Sequence, residues 1–279
     1  MRLPRKASVG SAARLSLDNG RGVFLKAASS RISPWAGEFH RRERVVAGGM
    51  PDGLPVPRLL DAHDDGDWVA LAFEDIEGHL PAQPWRPDEL ERVLAAATDL
   101  ARLMTPAPDL RTGRGSPRLG GWKHVIDDPE AQRRLAETAP WAHENLDLLG
   151  ALERRVEEAV SGETVLHGDL YPFNVLLAGD RVFFVDWPHA WVGAEHADVV
   201  TLLVSAALCG TDPQPILDSL PLTAGVDPAH IDVRLSAHAG FLLAAVCFTG
   251  PEADPNIIAM MRGLGLSSLR WLARRLRAR

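Results

Sequence analysis

The segment His167-Gly168-Asp169-Leu170-Tyr171-Pro172-Phe173-Asn174, followed by Val185-Asp186-Trp187, holds the densest chemistry in the chain. A loop bearing Asp169 and Asn174 leads into one short β-type run, Asn174 to Leu177. A second run, Arg181 to Val185, returns after the turn Ala178-Gly179-Asp180. A hairpin built from those runs brings Asp169, Asn174 and Asp186 to the same end. Such a set suits phosphoryl transfer, which needs positioning and charge neutralisation more than covalent help. Asp169 has the character of a base that accepts or orients the proton of an attacking hydroxyl. Asp186 offers the anionic oxygens that hard Mg2+ prefers, and Asn174 adds a neutral oxygen ligand without further negative charge.

The elements that must hold these groups follow from the rest of the pattern. Before the motif come three β-type runs, Gly22 to Ala27, Pro57 to Ala62 and Trp68 to Phe73, with turn signals at Asp18-Asn19-Gly20 and Asp64-Asp65-Gly66-Asp67. Ser33-Pro34 opens a helix, with serine at the N-cap and proline in the first turn, that should run to about Val46 and stop at Gly48-Gly49. After Gly78 the period changes. Leu90, Val93, Leu94, Ala97, Leu100, Ala101 and Met104 recur at helical spacing behind the acidic first turn Asp88-Glu89. A Pro/Gly-rich stretch from Thr105 to Gly121 has no periodicity, and loops of that length are usually functional or disordered. Leu148, Leu149, Leu152, Val156 and Val160 predict one amphipathic helix, and further helices are expected at 195–208, 213–220, 228–248 and 253–277.

Composition excludes several classes. The 279 residues are 46% hydrophobic and 24% charged, enough for a real core in one large domain or in two lobes sharing a cleft. A net charge of −7 argues against a general nucleic-acid binder. The N-terminal MRLPRKASVG has positive charge but no apolar run behind it, so it does not read as a signal peptide. The apolar run Phe241 to Phe248 is too short to span a bilayer. Cys209 and Cys247 sit in helix-like apolar stretches and read as buried thiols. These features predict a soluble, cytoplasmic protein with no membrane or nucleic-acid partner; oligomeric state stays open.

On His-Gly-Asp, four residues, Asn174, and then Val185-Asp186-Trp187, the chain resembles the aminoglycoside phosphotransferase and choline kinase family, which has the protein-kinase-like fold. A protein kinase proper has Arg between His and Asp and follows the second Asp with Phe-Gly. The resemblance implies an α+β fold of two lobes: 1–77 a small β-rich nucleotide-binding lobe, 78–279 a larger, mainly helical catalytic and acceptor-binding lobe. It implies a kinase that uses ATP and Mg2+ to phosphorylate a hydroxyl of a small molecule, with Asp169 as base and Asn174 and Asp186 on the metal. Lys26, one of only three lysines with Lys6 and Lys123, then contacts the α- and β-phosphates. Glu43 is placed as its partner, with Glu38 the rival. Phe73 to Ile76, including Asp75, occupy the hinge that meets adenine through backbone groups. Val9-Gly10-Ser11 stands where the phosphate-covering loop belongs, with a single glycine and few residues before it. Asp198 corresponds to an aspartate that braces the catalytic loop, and His167 reads as a loop stabiliser. Pro188 replaces the glutamate of many relatives.

The acceptor is less constrained. Beyond Thr211 the acidic residues Asp212, Asp218, Asp227, Asp232, Glu252 and Asp254 are followed by a terminus rich in arginine, Arg270, Arg274, Arg275, Arg277 and Arg279. The arginines suit the C-terminal end of a helix and give no support for a tricationic ligand. An aminoglycoside, another antibiotic or a sugar-like metabolite all fit. A catalytically silent nucleotide-binding protein of the same fold is the alternative. A hydrolase using His167 and Asp169 needs further His/Asp ligands at fixed spacing, and the sequence lacks them.

Overall fold

The computed structural model describes residues 10–110, 112, 118–250 and 252–278; Lys6, Val9, Arg279 and part of the Thr105–Gly121 stretch lie outside them. The chain opens with a four-stranded antiparallel sheet of order β1-β2-β4-β3. Its strands are β1 (Ser11–Ser16), β2 (Gly22–Ser29), β3 (Leu59–Asp64) and β4 (Trp68–Glu74), with helix α1 (Pro34–Gly49) between β2 and β3. Strand β4 shows why it forms: Val69, Leu71 and Phe73 are buried at every second position, and Phe24, Leu59 and Ala47 of α1 pack on them. The β3–β4 turn is held by Asp65, whose carboxylate accepts from the N–H groups of Asp67 and Trp68 at 3.0 and 2.7 Å.

The remainder is helical: α2 (Pro87–Leu103), α3 (Trp122–Ile126), α4 (Pro129–Thr138), α5 (Pro140–Glu144), α6 (Leu146–Glu153) and α7 (Val156–Ala159) precede the short strand β5 (Thr164–Leu166). The hairpin β6 (Val175–Ala178) and β7 (Arg181–Phe184) follows. Then come β8 (Trp191–Gly193), paired with β5, and helices α8 (His196–Leu208), α9 (Pro213–Ser219), α10 (Pro228–Phe248) and α11 (Pro255–Arg277). Helix α10 is mainly apolar, with Asp232, Arg234 and His238 among its buried residues, and packs on α3, α4, α6, α7, α8 and α11. It is long and apolar enough to cross a membrane, but 78% of its apolar window is buried, as in a core helix.

Three expectations need correction. The helix expected over 148–160 is two, α6 and α7, because the Arg155 N–H turns back to the Leu152 carbonyl and tightens the chain by one residue. Ser33 is the N-cap of α1 by backbone, but its hydroxyl makes no capping bond and is buried with no hydrogen-bond partner among the described residues. The helix also continues through Gly48 and Gly49, the residues expected to stop it.

Candidate active site

Strand β5 delivers the chain into the motif loop, and Asp198 in the first turn of α8 receives it. Its carboxylate accepts from the N–H groups of His167 and Gly168 at 2.6 and 3.1 Å. Burial pushes the Asp198 carboxyl above its ordinary range, and those two bonds and nearby charge only partly offset it. Gly168 has φ +75°, and a Cβ there would lie 2.2 Å from the His189 carbonyl oxygen, so only glycine fits. His167 Nε2 lies 2.9 Å from the Val185 carbonyl, which requires the proton on Nε2. Its Nδ1 is then the acceptor for the Asp169 N–H at 3.3 Å. The imidazole also rests against the Trp187 ring, 4.6 Å between centroids. His167 thus ties the loop to the strand that returns beside it.

The hairpin does the rest of the gathering. Val175 pairs with Phe184, and the Val185 N–H donates to the Asn174 carbonyl at 3.0 Å, so Asp186 emerges next to Asn174. Asn174 Nδ2 donates to the Asp169 carbonyl oxygen at 2.7 Å and to Asp169 Oδ2 at 3.0 Å, turning its own Oδ1 the other way. Asp186 has φ +74°, the only left-handed non-glycine backbone among the described residues. Such a conformation is strained and is held by its surroundings.

Lys26 reaches this cluster from β2. Its Nζ lies 2.7 Å from Glu43 Oε1 and 2.6 Å from Asp186 Oδ1, with the Phe73 ring centroid 5.3 Å away. Glu43 is buried on α1 and also accepts from the Trp187 N–H at 3.3 Å, whereas Glu38 is exposed. Burial alone would lower the Lys26 pKa, but Glu43 and Asp186 together outweigh it and hold the ammonium above its usual range.

Arg118, in the Pro/Gly-rich stretch, places Nη1 2.8 Å from Asp169 Oδ1 and stacks over Phe241 of α10 at 5.3 Å. Nothing in the sequence singles it out beyond its lying in a long irregular stretch. Arg14 was equally inconspicuous: it pairs with Asp75 at 3.0 Å and donates to the Ile76 carbonyl at 3.0 Å, fastening β1 to the segment after β4.

A cavity of about 560 Å3 adjoins these groups, although Asn174, fully buried, is not in its wall. Lys26, Glu43, Phe73, Asp75, Asp169 and Asp186 all line it. Ser11 and Gly10 stand elsewhere: Ser11 is the first residue of β1, paired with Ala27, and the residues of that strand facing the cavity are Ala12 and Arg14. Ser11 therefore belongs to a strand, where alternation turns it away from the cavity, and not to a covering loop. Gly10 sits against the sheet, where a Cβ would lie 2.6 Å from the Ala27 carbonyl oxygen. Among the described residues no group of three or more His, Cys, Asp or Glu gathers as a metal site. Asn174 and Asp186 are a two-residue, all-oxygen set. That suits an ion such as Mg2+, which keeps waters and takes its other ligands from phosphates.

The chain is similar to known proteins in sequence and in fold. The model of the phosphotransferase enzyme family matches residues 12–230. Streptomycin 3''-kinase of Streptomyces griseus is 26% identical over 209 residues, covering 68% of this chain and 75% of that protein. In fold the chain is similar to a thermostable mutant of aminoglycoside phosphotransferase APH(4)-Ia, solved with AMP-PNP and hygromycin B. That match has a TM-score of 0.58 and 17% identity, and covers 94% of this chain and 93% of that one. It is also similar to a choline/ethanolamine kinase family protein from Mesorhizobium loti, with a TM-score of 0.53, 18% identity and coverage of 96% and 94%. The architecture is accordingly the protein-kinase-like one, a small β-sheet part followed by a helical remainder.

Proposed function

The chain belongs to the phosphotransferase enzyme family, and we propose that it transfers the γ-phosphate of ATP to a hydroxyl of a small molecule. The observation that carries this is Lys26 bridging Glu43 and Asp186 at the cavity that also holds Asp169. A lysine fixed between two carboxylates stays charged and aimed, as a phosphate-binding cation must. Asn174 and Asp186 would hold Mg2+, whose chemistry when bound is neutralisation of the charge on the phosphates. Asp169, buried and oriented by Asn174, takes the proton of the attacking hydroxyl. Phe73 to Ile76 form the adenine-facing segment, and residues 1–77 and 78–279 act as the two lobes. Relatives crystallised with AMP-PNP support ATP as donor, and the streptomycin kinase supports a small hydroxylated acceptor. A cytoplasmic location goes with this reading. The test is ADP release with ATP and Mg2+ across sugars, aminoglycosides, macrolides and nucleosides. Release with one acceptor class in the wild type, and its loss in Asp169→Asn, supports transfer. Nucleotide binding without turnover for every acceptor would favour the catalytically silent reading.

A further inference from the structure

The cavity walls narrow the chemistry of the acceptor. Five carboxylates line the cavity among the described residues, and each is engaged in an ion pair. Glu43 and Asp186 share Lys26, Asp169 meets Arg118 at 2.8 Å, Asp75 meets Arg14 at 3.0 Å, and Glu74 meets Arg58 at 3.5 Å. Glu74 and Asp75 sit at the end of β4, on the segment assigned to adenine. Apart from the paired cations Lys26, Arg14 and Arg118 and the side chains of His40, His189 and Tyr171, the remaining wall is apolar. Helix α11 contributes Ile257, Met260, Met261 and Leu264, and α1 contributes Trp35 and Phe39. Trp35 is 52% exposed beside Phe39, ring centroids 5.3 Å apart, and Phe39 in turn packs on His189 at 4.9 Å.

A polycation placed on such a wall would lose water without gaining an unpaired carboxylate, which is costly for each charge. Arg118 adds a repulsive cation beside the base. An apolar body gains on burial, and two adjacent methionines adapt their shape to it. We propose that the acceptor is an amphipathic alcohol, apolar over most of its surface and not polycationic, docked on the α11 face of Met260 and Met261. This rests on the phosphotransfer reading and adds the substrate class.

The experiment is calorimetric titration of the full chain saturated with Mg2+ and AMP-PNP. The probes are octyl β-D-glucopyranoside below its micellar concentration, erythromycin, and kanamycin as the polycation. At least one of the first two should bind about 10-fold more tightly than kanamycin, and Met260→Asp should weaken it about 10-fold while AMP-PNP affinity is unchanged. Met260→Gln, which removes apolar surface without adding charge, should weaken it in the same direction and keeps the test readable if the aspartate variant does not fold. Kanamycin binding as tightly as the apolar probes, or failure of both apolar probes to bind, overturns the inference. Either result with Mg2+-dependent AMP-PNP binding intact leaves the phosphotransfer reading standing; absence of that nucleotide binding sinks the latter instead.

Discussion

Arg118 holds Asp169 across a 2.8 Å ion pair while Asn174 occupies the other carboxylate oxygen at 3.0 Å. Asp169 is only 3% exposed, so removing a partner leaves a buried charge less compensated. Arg118→Ala should lower stability by about 1–3 kcal/mol, and the loss should shrink by roughly 1 kcal/mol in an Asp169→Asn background. A urea-denaturation double-mutant cycle measures this. Equal losses in both backgrounds would show that the pair contributes nothing.

Asp169→Asn should lower kcat by about 10²–10⁴-fold with nucleotide affinity nearly unchanged, because a base acts on the acceptor and not on ATP. Steady-state kinetics beside a nucleotide titration separates the two effects. A variant that keeps more than half of wild-type turnover would assign the base elsewhere.

Asp186→Ala should abolish the Mg2+-dependent part of ATP binding, since Asn174 is then the one protein oxygen left from the two-residue set. Calorimetry with and without magnesium checks this. Unchanged magnesium dependence would move the metal site.

Lys26→Met should raise KM for ATP and depress kcat, while Lys123→Met, at an exposed position, should do little. A cation about 4 Å from a phosphate gains roughly 4 kcal/mol at an effective dielectric of 20, but only about 1 in water. The raised pKa of Lys26 keeps it charged, so ATP binding should not lose this contribution until pH rises beyond the ordinary lysine range. Equal kinetic effects from both substitutions would make Lys26 an ordinary lysine.

His196, the first residue of α8, is held near pKa 4 by burial and by the charges of Arg234 and His230, and its Nε2 has no hydrogen-bond partner among the described residues. The unfolded chain therefore takes up a proton below about pH 6.5 that the folded chain refuses until about pH 4. Stability contributed by neutral His196 is intact above pH 6.5 and falls as pH drops through that window. His196→Gln should flatten the decline between pH 6.5 and 4, read from denaturation midpoints. An unchanged slope would assign acid sensitivity to other groups, such as His238, also buried and held neutral.

Much of this site was legible because Asp169, Asn174 and Asp186 lie close together in sequence, joined by two short runs and a turn. Lys26 stood out because lysine is rare in this chain. Glu43 and Glu38 could not be separated by spacing, since both lie on α1; burial and the bond from Trp187 distinguish them. Arg118 was illegible because it reaches Asp169 through tertiary packing from a stretch with no period. Strands β5 and β8 are three residues each, too short for alternation to register. Helices α3 and α5, of five residues each, are likewise too short for a helical period. The ten-residue α4, absent from the helices expected, carries readable signals: Ala131 and Leu135 are buried four residues apart, and Asp128 caps it by accepting from the N–H groups of Glu130 and Ala131.

The Lys26–Asp186 contact joins residues 160 positions apart, whereas the loop and hairpin that hold Asp169, Asn174 and Asp186 close over short distances along the chain. Local contacts form fast, and distant ones wait on the entropy of closing a long loop. The oxygen-bearing half of the site can therefore take shape early during folding. Lys26 must close a much longer loop, so on the proposed function the cation that would grip a nucleotide is expected to join the site after that half has formed.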